Sequence, residues 1–446
     1  MRITPPPGGG GQIGQLISHI RTPLYFNSYA LMLSHALTSG LGVIYWAVAA
    51  RLYRPDEVGT DAALISVILF VTGISQLNLR VALTRLVPES GSKARSLVVS
   101  AYAVSGLVTV IVSLGFVVLF GATIIPGFSL LDDAPVATVF VLGSIAWTVF
   151  NLQDGVFSGL RRAGWIPLEN GLYGLAKMVL LIVLALLAVR NGVLYAFFLP
   201  MAIAVVVVNV LLFRRLLPQH ELAAGGQTLS MNLGRLVRFV SGDYVASLFT
   251  LAYVTLLPIL VLVRLGPEAG AHFYIVWVIV SSLVLVPQSV AVSMTVETVT
   301  AAGDTMQQAR HAFKHMMRIT FPLVIAVALA APFVLAVFGE DYAKEGTDSL
   351  RLFALGVIPS AITALAMAHA RVTGRSGDLI IIQAVLAALI FGITYPLLES
   401  LGITGVAIGW LAGQTVVAAV LLATRLRPVL RSSTTPSPPP EMNARV

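Results

Sequence analysis

Apolar residues run along this chain in long unbroken blocks. They show neither the strict alternation of a half-buried strand nor the narrow stripe of a surface helix. A helix rises 1.5 Å per residue, so about 20 such residues cross the roughly 30 Å hydrocarbon core of a bilayer. The pattern predicts six spans near 29–50, 59–79, 97–120, 136–159, 170–189 and 193–213. A polar connection follows over 214–234, with Arg214, Arg215, His220, Glu221, Gly225 and Gly226. Six further spans are predicted near 236–262, 270–292, 319–338, 349–370, 379–398 and 403–424. Pro5 to Gly11 is low in complexity and Ser432 to Val446 is rich in proline, so both ends are expected to be disordered. Ile13, Leu16, Ile17, Ile20 and Leu24 recur at helical spacing and predict a short interfacial helix before the first span. Nothing near the N-terminus has the build of a signal peptide.

Composition agrees with the blocks. Of 446 residues, 57% are hydrophobic and 11% charged, about half the charged fraction of a soluble domain. Mean hydropathy is +0.90. A water-soluble globule and a disordered chain are both excluded, leaving an all-α integral membrane protein with twelve transmembrane helices.

The net charge of +8 is first a record of insertion. With twelve spans and both termini on one side, 21 of the 28 Lys and Arg fall on the side of the termini and 6 on the other, with Lys177 left inside a span. That partition predicts cytoplasmic termini in a bacterial cytoplasmic membrane, and no nucleic-acid partner is expected.

The chain also repeats itself. Arg51-Leu-Tyr-Arg-Pro55-Asp-Glu-Val-Gly59 returns as Arg264-Leu-Gly-Pro267-Glu-Ala-Gly270, and Arg161-Arg-Ala-Gly164 returns as Arg371-Val-Thr-Gly374. Asn191-Gly192-Val193 matches Thr404-Gly405-Val406, and Arg214-Arg215 is echoed by Arg425 and Arg427. Every offset lies between 210 and 213 residues. Six spans per copy is an even number, so both copies insert the same way and are related by an axis along the membrane normal. The expected organisation is an N-terminal segment 1–28, a first lobe 29–213, a central loop 214–234, a second lobe 235–424 and a tail 425–446. Two lobes around a midplane cavity are a framework for alternating access.

Some chemistry is excluded outright. With no cysteine there is no disulfide, thiolate metal site or cysteine nucleophile. No phosphate-binding loop with Lys and Ser/Thr occurs, nor a paired-His metal motif, nor a G-x-S-x-G elbow. No catalytic residue, metal or cofactor is assigned, and the chain is not expected to be an enzyme.

Charges inside spans cost on the order of 3 kcal/mol each at a helix centre, so each needs a reason. Asp154, Lys177 and Asp243 stand out, and the predicted spans place all three at one depth, about 10 Å inside the cytoplasmic boundary. One account pairs Asp154 with Lys177 structurally. The other makes these groups line a cavity, touch substrate or carry a coupling ion. Asp243 has no evident partner at its level, unless Arg80 or Arg238 neutralises it. Gly73, Gln76, Arg80 and Thr84 form a polar stripe at the end of the second span, with Arg85 just off it. The planar fork of Arg suits phosphate, although Arg at a cytoplasmic helix end is also ordinary topology signalling. His35, Gln288, His369, Gln383 and Gln414 add hydrogen-bonding groups, and Pro200, Pro258, Pro287 and Pro359 predict kinks.

These residues carry a family resemblance. Ala50-Arg51-Leu52 followed by Pro55-Asp56-Glu57-Val58-Gly59 resembles the first external turn of polysaccharide-biosynthesis exporters. The segment from Arg80 to Arg85 entering Leu86-Val87-Pro88-Glu89 is similar to their stretch after the second helix. Gln153-Asp154-Gly155, Gly159-Leu160-Arg161-Arg162-Ala163-Gly164, Phe338-Gly339-Glu340-Asp341-Tyr342 and Leu401-Gly402-Ile403-Thr404-Gly405-Val406-Ala407 also fit. The chain resembles the multidrug/oligosaccharidyl-lipid/polysaccharide (MOP) exporter superfamily and, within it, the Wzx-like flippases of lipid-linked sugars.

The resemblance implies two six-helix lobes around a cavity, and a cationic site for the pyrophosphate and sugars of a polyprenyl carrier. Here Arg80, Arg85 and Gln76 would bind the headgroup, while Asp154, Lys177 and Asp243 would gate or couple an ion. The implied partners are a lipid-linked glycan, membrane lipid and polysaccharide-assembly proteins. A cation-coupled multidrug exporter of the same superfamily is the alternative, with Asp243 as the cation site. A membrane polysaccharide polymerase or ligase is a third expectation, but the longest external stretch is only about 15 residues.

Overall fold

The structure, a computed structural model, describes residues 23–120, 134–224, 233–300 and 305–426. The interfacial helix expected around Ile13–Leu24, the tails and part of the central loop lie outside the described residues or at their edge. The described residues form helices and the turns between them. Ten helices are individually long and apolar enough to cross a bilayer. Pro23–Leu52 adds one, and the 49-residue run Ser376–Thr424 breaks into two, which makes twelve.

In chain order, the first lobe contains α1 (Pro23–Leu52), α2 (Pro55–Ser75), α3 (Ala94–Phe120), α4 (Ala134–Gly159), α5 (Trp165–Leu186) and α6 (Gly192–Leu211). The second contains α7 (Leu233–Leu265), α8 (Pro267–Thr300), α9 (Thr305–Ala336) and α10 (Glu340–Val372), then α11 and α12 within Ser376–Thr424. The break between α11 and α12 is Gly402, with φ 57° and ψ −139°. That left-handed backbone is open to Gly at no steric cost and lets the two helices fold back on each other.

Two boundaries differ from the hydrophobic pattern. The second span was expected to reach residue 79, but α2 stops at Ser75 and Gln76 caps it. Leu77 (φ 48°) and Asn78 (φ 55°) turn the chain left-handed into a separate short helix, Leu79–Leu86. The polar connection expected from residue 214 begins instead as helix. A π-helical turn, Leu212–Leu216, and a further turn, Leu217–Ala223, prolong α6.

Burial sorts the helices by role. In the most apolar stretch of α2, 72% of positions are buried, against 22% in α9, so α2 is a core helix and α9 faces outward. Leu107, Val179, Val206, Leu329 and Phe333 project from the outer helices with no protein cover. Only lipid would solvate such a band, and the chain is a multi-pass membrane protein by this architecture.

Each lobe is built around clustered rings. Phe150, Tyr173, Phe197, Phe198 and Trp147 pack together in the first, and Phe273, Trp277, Phe353 and Trp410 in the second. The lobes meet where α2 lies against both α7 and α8. This seam is tight. A Cβ added to Gly59 on α2 would stand 1.8 Å from the Pro267 carbonyl oxygen of α8.

Candidate functional site

The short helix Leu79–Leu86 lies directly on α4. Gly155 permits this, because a Cβ there would meet the Arg80 carbonyl oxygen at 2.5 Å. The approach brings Arg80 Nη1 to 3.8 Å from Asp154 Oδ2. Thr84 Oγ1 donates to the Arg80 carbonyl at 3.1 Å, and Arg85 sits on the same short helix. The expected continuous stripe Gly73–Gln76–Arg80–Thr84 is therefore broken. Gln76 ends one helix, and Arg80 and Thr84 belong to another.

Asp154 and Lys177 do not pair. Asp154 lies 5 residues before the end of α4 at Gly159, whereas Lys177 lies 12 residues after the start of α5 at Trp165. At 1.5 Å per residue the two stand about 8 Å and about 18 Å from the end where α4 meets α5. Their common depth assumed a fifth span starting at 170, and the helix starts 5 residues earlier. Asp243 is 10 residues into α7, close to where its apolar stretch begins at Gly242.

Lys177 instead occupies an aromatic cage near the middle of α5. Its Nζ lies 4.6 Å from the ring centre of Tyr45, 5.1 Å from Tyr173 and 4.6 Å from Phe197. Two of the rings are pinned. Tyr45 donates its hydroxyl to the Val193 carbonyl at 2.6 Å, and Tyr173 donates to the Phe197 carbonyl at 2.9 Å. Among the described residues no carboxylate lies within ion-pair distance of Lys177. The ring faces carry the stabilisation, up to about 2 kcal/mol for a desolvated cation–π contact.

Two buried carboxylates escaped the sequence reading. Asp61, fully buried on α2, accepts hydrogen bonds from Asn191 Nδ2 at 2.7 Å and from the Leu194 amide at 3.0 Å. It caps the N-terminus of α6 from a neighbouring helix, where the unpaired amides and the helix dipole favour an anion. In sequence it follows Asp56 and Glu57 and passes for another interfacial acid. Its signal was Asn191-Gly192, a helix start needing a distant acceptor. Glu169 is 4 residues into α5, at the level of Asp154, and lies just outside the fifth span that the hydrophobic pattern starts at 170. It is 7% exposed, and among the described residues neither Oε1 nor Oε2 has a hydrogen-bond partner.

In the second lobe Asp243 has a partner from α10. Arg371 Nε donates to Asp243 Oδ1 at 3.0 Å, joining the end of α10 to α7. Arg425 pairs with Asp378 at 2.8 Å. At the opposite end Arg264 pairs with Glu399 at 2.6 Å and bonds the Tyr395 hydroxyl. Its repeat mate Arg51 reaches across the lobes. Arg51 Nη2 and Nε donate to the Ala336 and Val337 carbonyls at 2.6 and 2.9 Å, at the C-terminus of α9. Tyr244 ties the basic end of the seam by donating to the Ile74 carbonyl at 2.7 Å.

No protein-family model matches the chain, and no curated protein matches it. Solved structures do. A MATE in complex with MaL6 is 18% identical, with a TM-score of 0.63 over 90% of this chain and 96% of that one. An inward-facing multidrug resistance MATE family transporter of the MOP superfamily is also 18% identical, with a TM-score of 0.62 over 89% and 94%. A MOP superfamily transporter from Pyrococcus furiosus, described by a reverse polarity of its binding pocket, is 17% identical, with a TM-score of 0.59 over 91% and 97%. At these identities the likeness is one of fold: twelve helices arranged as in MATE transporters of the MOP superfamily.

Proposed function

We propose that the protein is a secondary transporter, a cation-coupled exporter of amphipathic solutes of the multidrug type, working by alternating access. The observation that carries this reading is the seam. Two lobes with separate aromatic cores meet along α2, α7 and α8, with a polar tie at each end, Arg51 to α9 and Tyr244 to α2. A pair of bundles held this way rocks by releasing one tie at a time. Two proteins of like fold are described as multidrug resistance transporters, one inward-facing and the other outward-facing, which supports the reading. The acids near the basic end of the first lobe, Asp154 and Glu169, supply groups for a coupling cation. The excess of Lys and Arg on the side of the termini supports a cytoplasmic-membrane location with both termini inside.

A second reading is favoured by one observation. Lys177 is a buried cation with no carboxylate beside it among the described residues, and Arg85 lies on the short helix at the basic end with Arg80, which faces Asp154. That polarity suits an anionic headgroup. In this reading the protein flips a polyprenyl-pyrophosphate-linked oligosaccharide. Arg80, Arg85 and Gln76 hold the headgroup, Asp154, Lys177 and Asp243 gate, and polysaccharide-assembly proteins receive the product.

One deletion strain separates the two. The exporter reading expects raised susceptibility to lipophilic cationic drugs with an unchanged surface glycan, restored by the intact gene. Loss of the glycan with unchanged susceptibility overturns it in favour of the flippase. In that case replacing Arg80 and Arg85 together by Ala, at normal expression, must also remove the glycan.

A further inference from the structure

We propose that Glu169 is the protein's proton-binding site, a carboxyl that is protonated in this conformation and gives up its proton during transport. The proposal rests on the cation-coupled reading above and names the ion and the residue.

The argument starts from what Glu169 lacks. It is 7% exposed on α5, and among the described residues neither of its oxygens has a hydrogen-bond donor. Burying an unpaired carboxylate costs several kcal/mol, whereas the neutral acid is far cheaper to bury. Asp61 shows the contrast within this lobe, a buried carboxyl with a donor on each oxygen.

The surroundings confirm the imbalance. Asp154 on α4 is close enough for its charge to act on Glu169, and Tyr102 on α3 lies within reach of the Glu169 charge. The Tyr102 hydroxyl is itself buried and without a hydrogen-bond partner among the described residues. The neighbouring guanidinium, Arg80, is directed at Asp154. Arg161 and Arg162 follow α4 on the exposed connection to α5. Packed against α5, α6 carries no charged residue along Gly192–Leu211. One ion pair thus leaves one carboxyl over.

A proton fits this site better than a metal ion. Glu169 and Tyr102 present three oxygens, fewer than the about six a hard cation takes. Among the described residues no group of three His, Cys, Asp or Glu is placed to hold a metal. No bond other than O–H changes: Glu169 takes one proton as a carboxylate and releases it as the acid.

The test uses the full chain in proteoliposomes, with Glu169→Gln as the isosteric neutral variant. Infrared difference spectra at neutral pH should show the C=O stretch of a buried carboxylic acid in the wild type. The band should vanish in Glu169→Gln and persist in Asp154→Asn. A band unchanged in Glu169→Gln, or absent from the wild type, overturns the proposal. In the same vesicles, ethidium accumulation driven by a pH gradient should be lost in Glu169→Gln while ethidium exchange without a gradient is kept. Gradient-driven accumulation equal to wild type also overturns it. If the wild type moves no ethidium at all, the multidrug reading fails and the infrared band alone decides Glu169.

Discussion

The carboxylate of Asp61 on α2 receives the backbone amide of Leu194 at 3.0 Å, so one transmembrane helix supplies the N-terminal cap of another. The bond is fully buried, and Asn191 Nδ2 fills the second oxygen. A helix end inside a membrane protein has no water to satisfy its first amides, and a charged acceptor from a neighbour is an effective substitute.

Replacing Asp61 by Ala strands that amide and the Asn191 side chain. Thermal unfolding in detergent should fall by an amount equivalent to about 1–3 kcal/mol, the cost of a buried unsatisfied donor. Asp61→Asn keeps one acceptor and should lose less. Equal melting of Asp61→Ala and wild type would mean that α6 is capped some other way.

Lys177→Met should not destabilise the fold. The ammonium has no counter-ion within reach among the described residues, so removing its charge relieves a desolvation cost that three ring faces only partly offset. Melting at or above the wild-type temperature is expected, together with a changed preference between anionic and cationic solutes. A large drop in stability would show that the cage is a net anchor.

The seam gives a paired prediction. Gly59→Ala puts a methyl 1.8 Å from the Pro267 oxygen, so α2 and α8 must separate. Overpacking of this kind costs about 1–3 kcal/mol or more. Gly106→Ala on α3 meets nothing within 4 Å and should be neutral or stabilising by up to about 1 kcal/mol, the helix-propensity gain. Similar melting curves for the two variants would remove the seam's claim to tightness.

Arg51 contributes little to global stability, being exposed, but it joins the lobes. Its loss should favour opening at that end by about 1 kcal/mol, roughly fivefold in the opening equilibrium. The chain has no cysteine, so Tyr274→Cys, placed beside Trp46 where α8 meets α1, is a clean reporter. Maleimide labelling of that cysteine should accelerate several-fold when Arg51→Ala is added. An unchanged rate would leave Arg51 without a role in closing the seam.

Much of this was legible in order along the chain. The twelve blocks, the break at Gly402 between the last two spans and the prominence of Asp154 and Lys177 all follow from local composition. Errors of a few residues at helix ends had larger consequences. Starting α5 at 170 instead of Trp165 set Lys177 level with Asp154 and removed Glu169 from the membrane altogether. Running α2 to 79 turned two helices into one polar stripe, because the left-handed pair Leu77 and Asn78 has no strong signature.

The sequence by itself determined the class and the count of helices, because crossing a bilayer is a condition on apolar length that each segment meets alone. Which charge answers which was decided only by the tertiary structure. Arg80 meets Asp154 from a neighbouring helix, Asp243 takes Arg371 from 128 residues away, Lys177 finds rings, and Glu169 finds no donor among the described residues. Pairing depends on helix depth, rotation and neighbour order together, and the hydrophobic pattern along a chain carries only the first of these, to within a few residues.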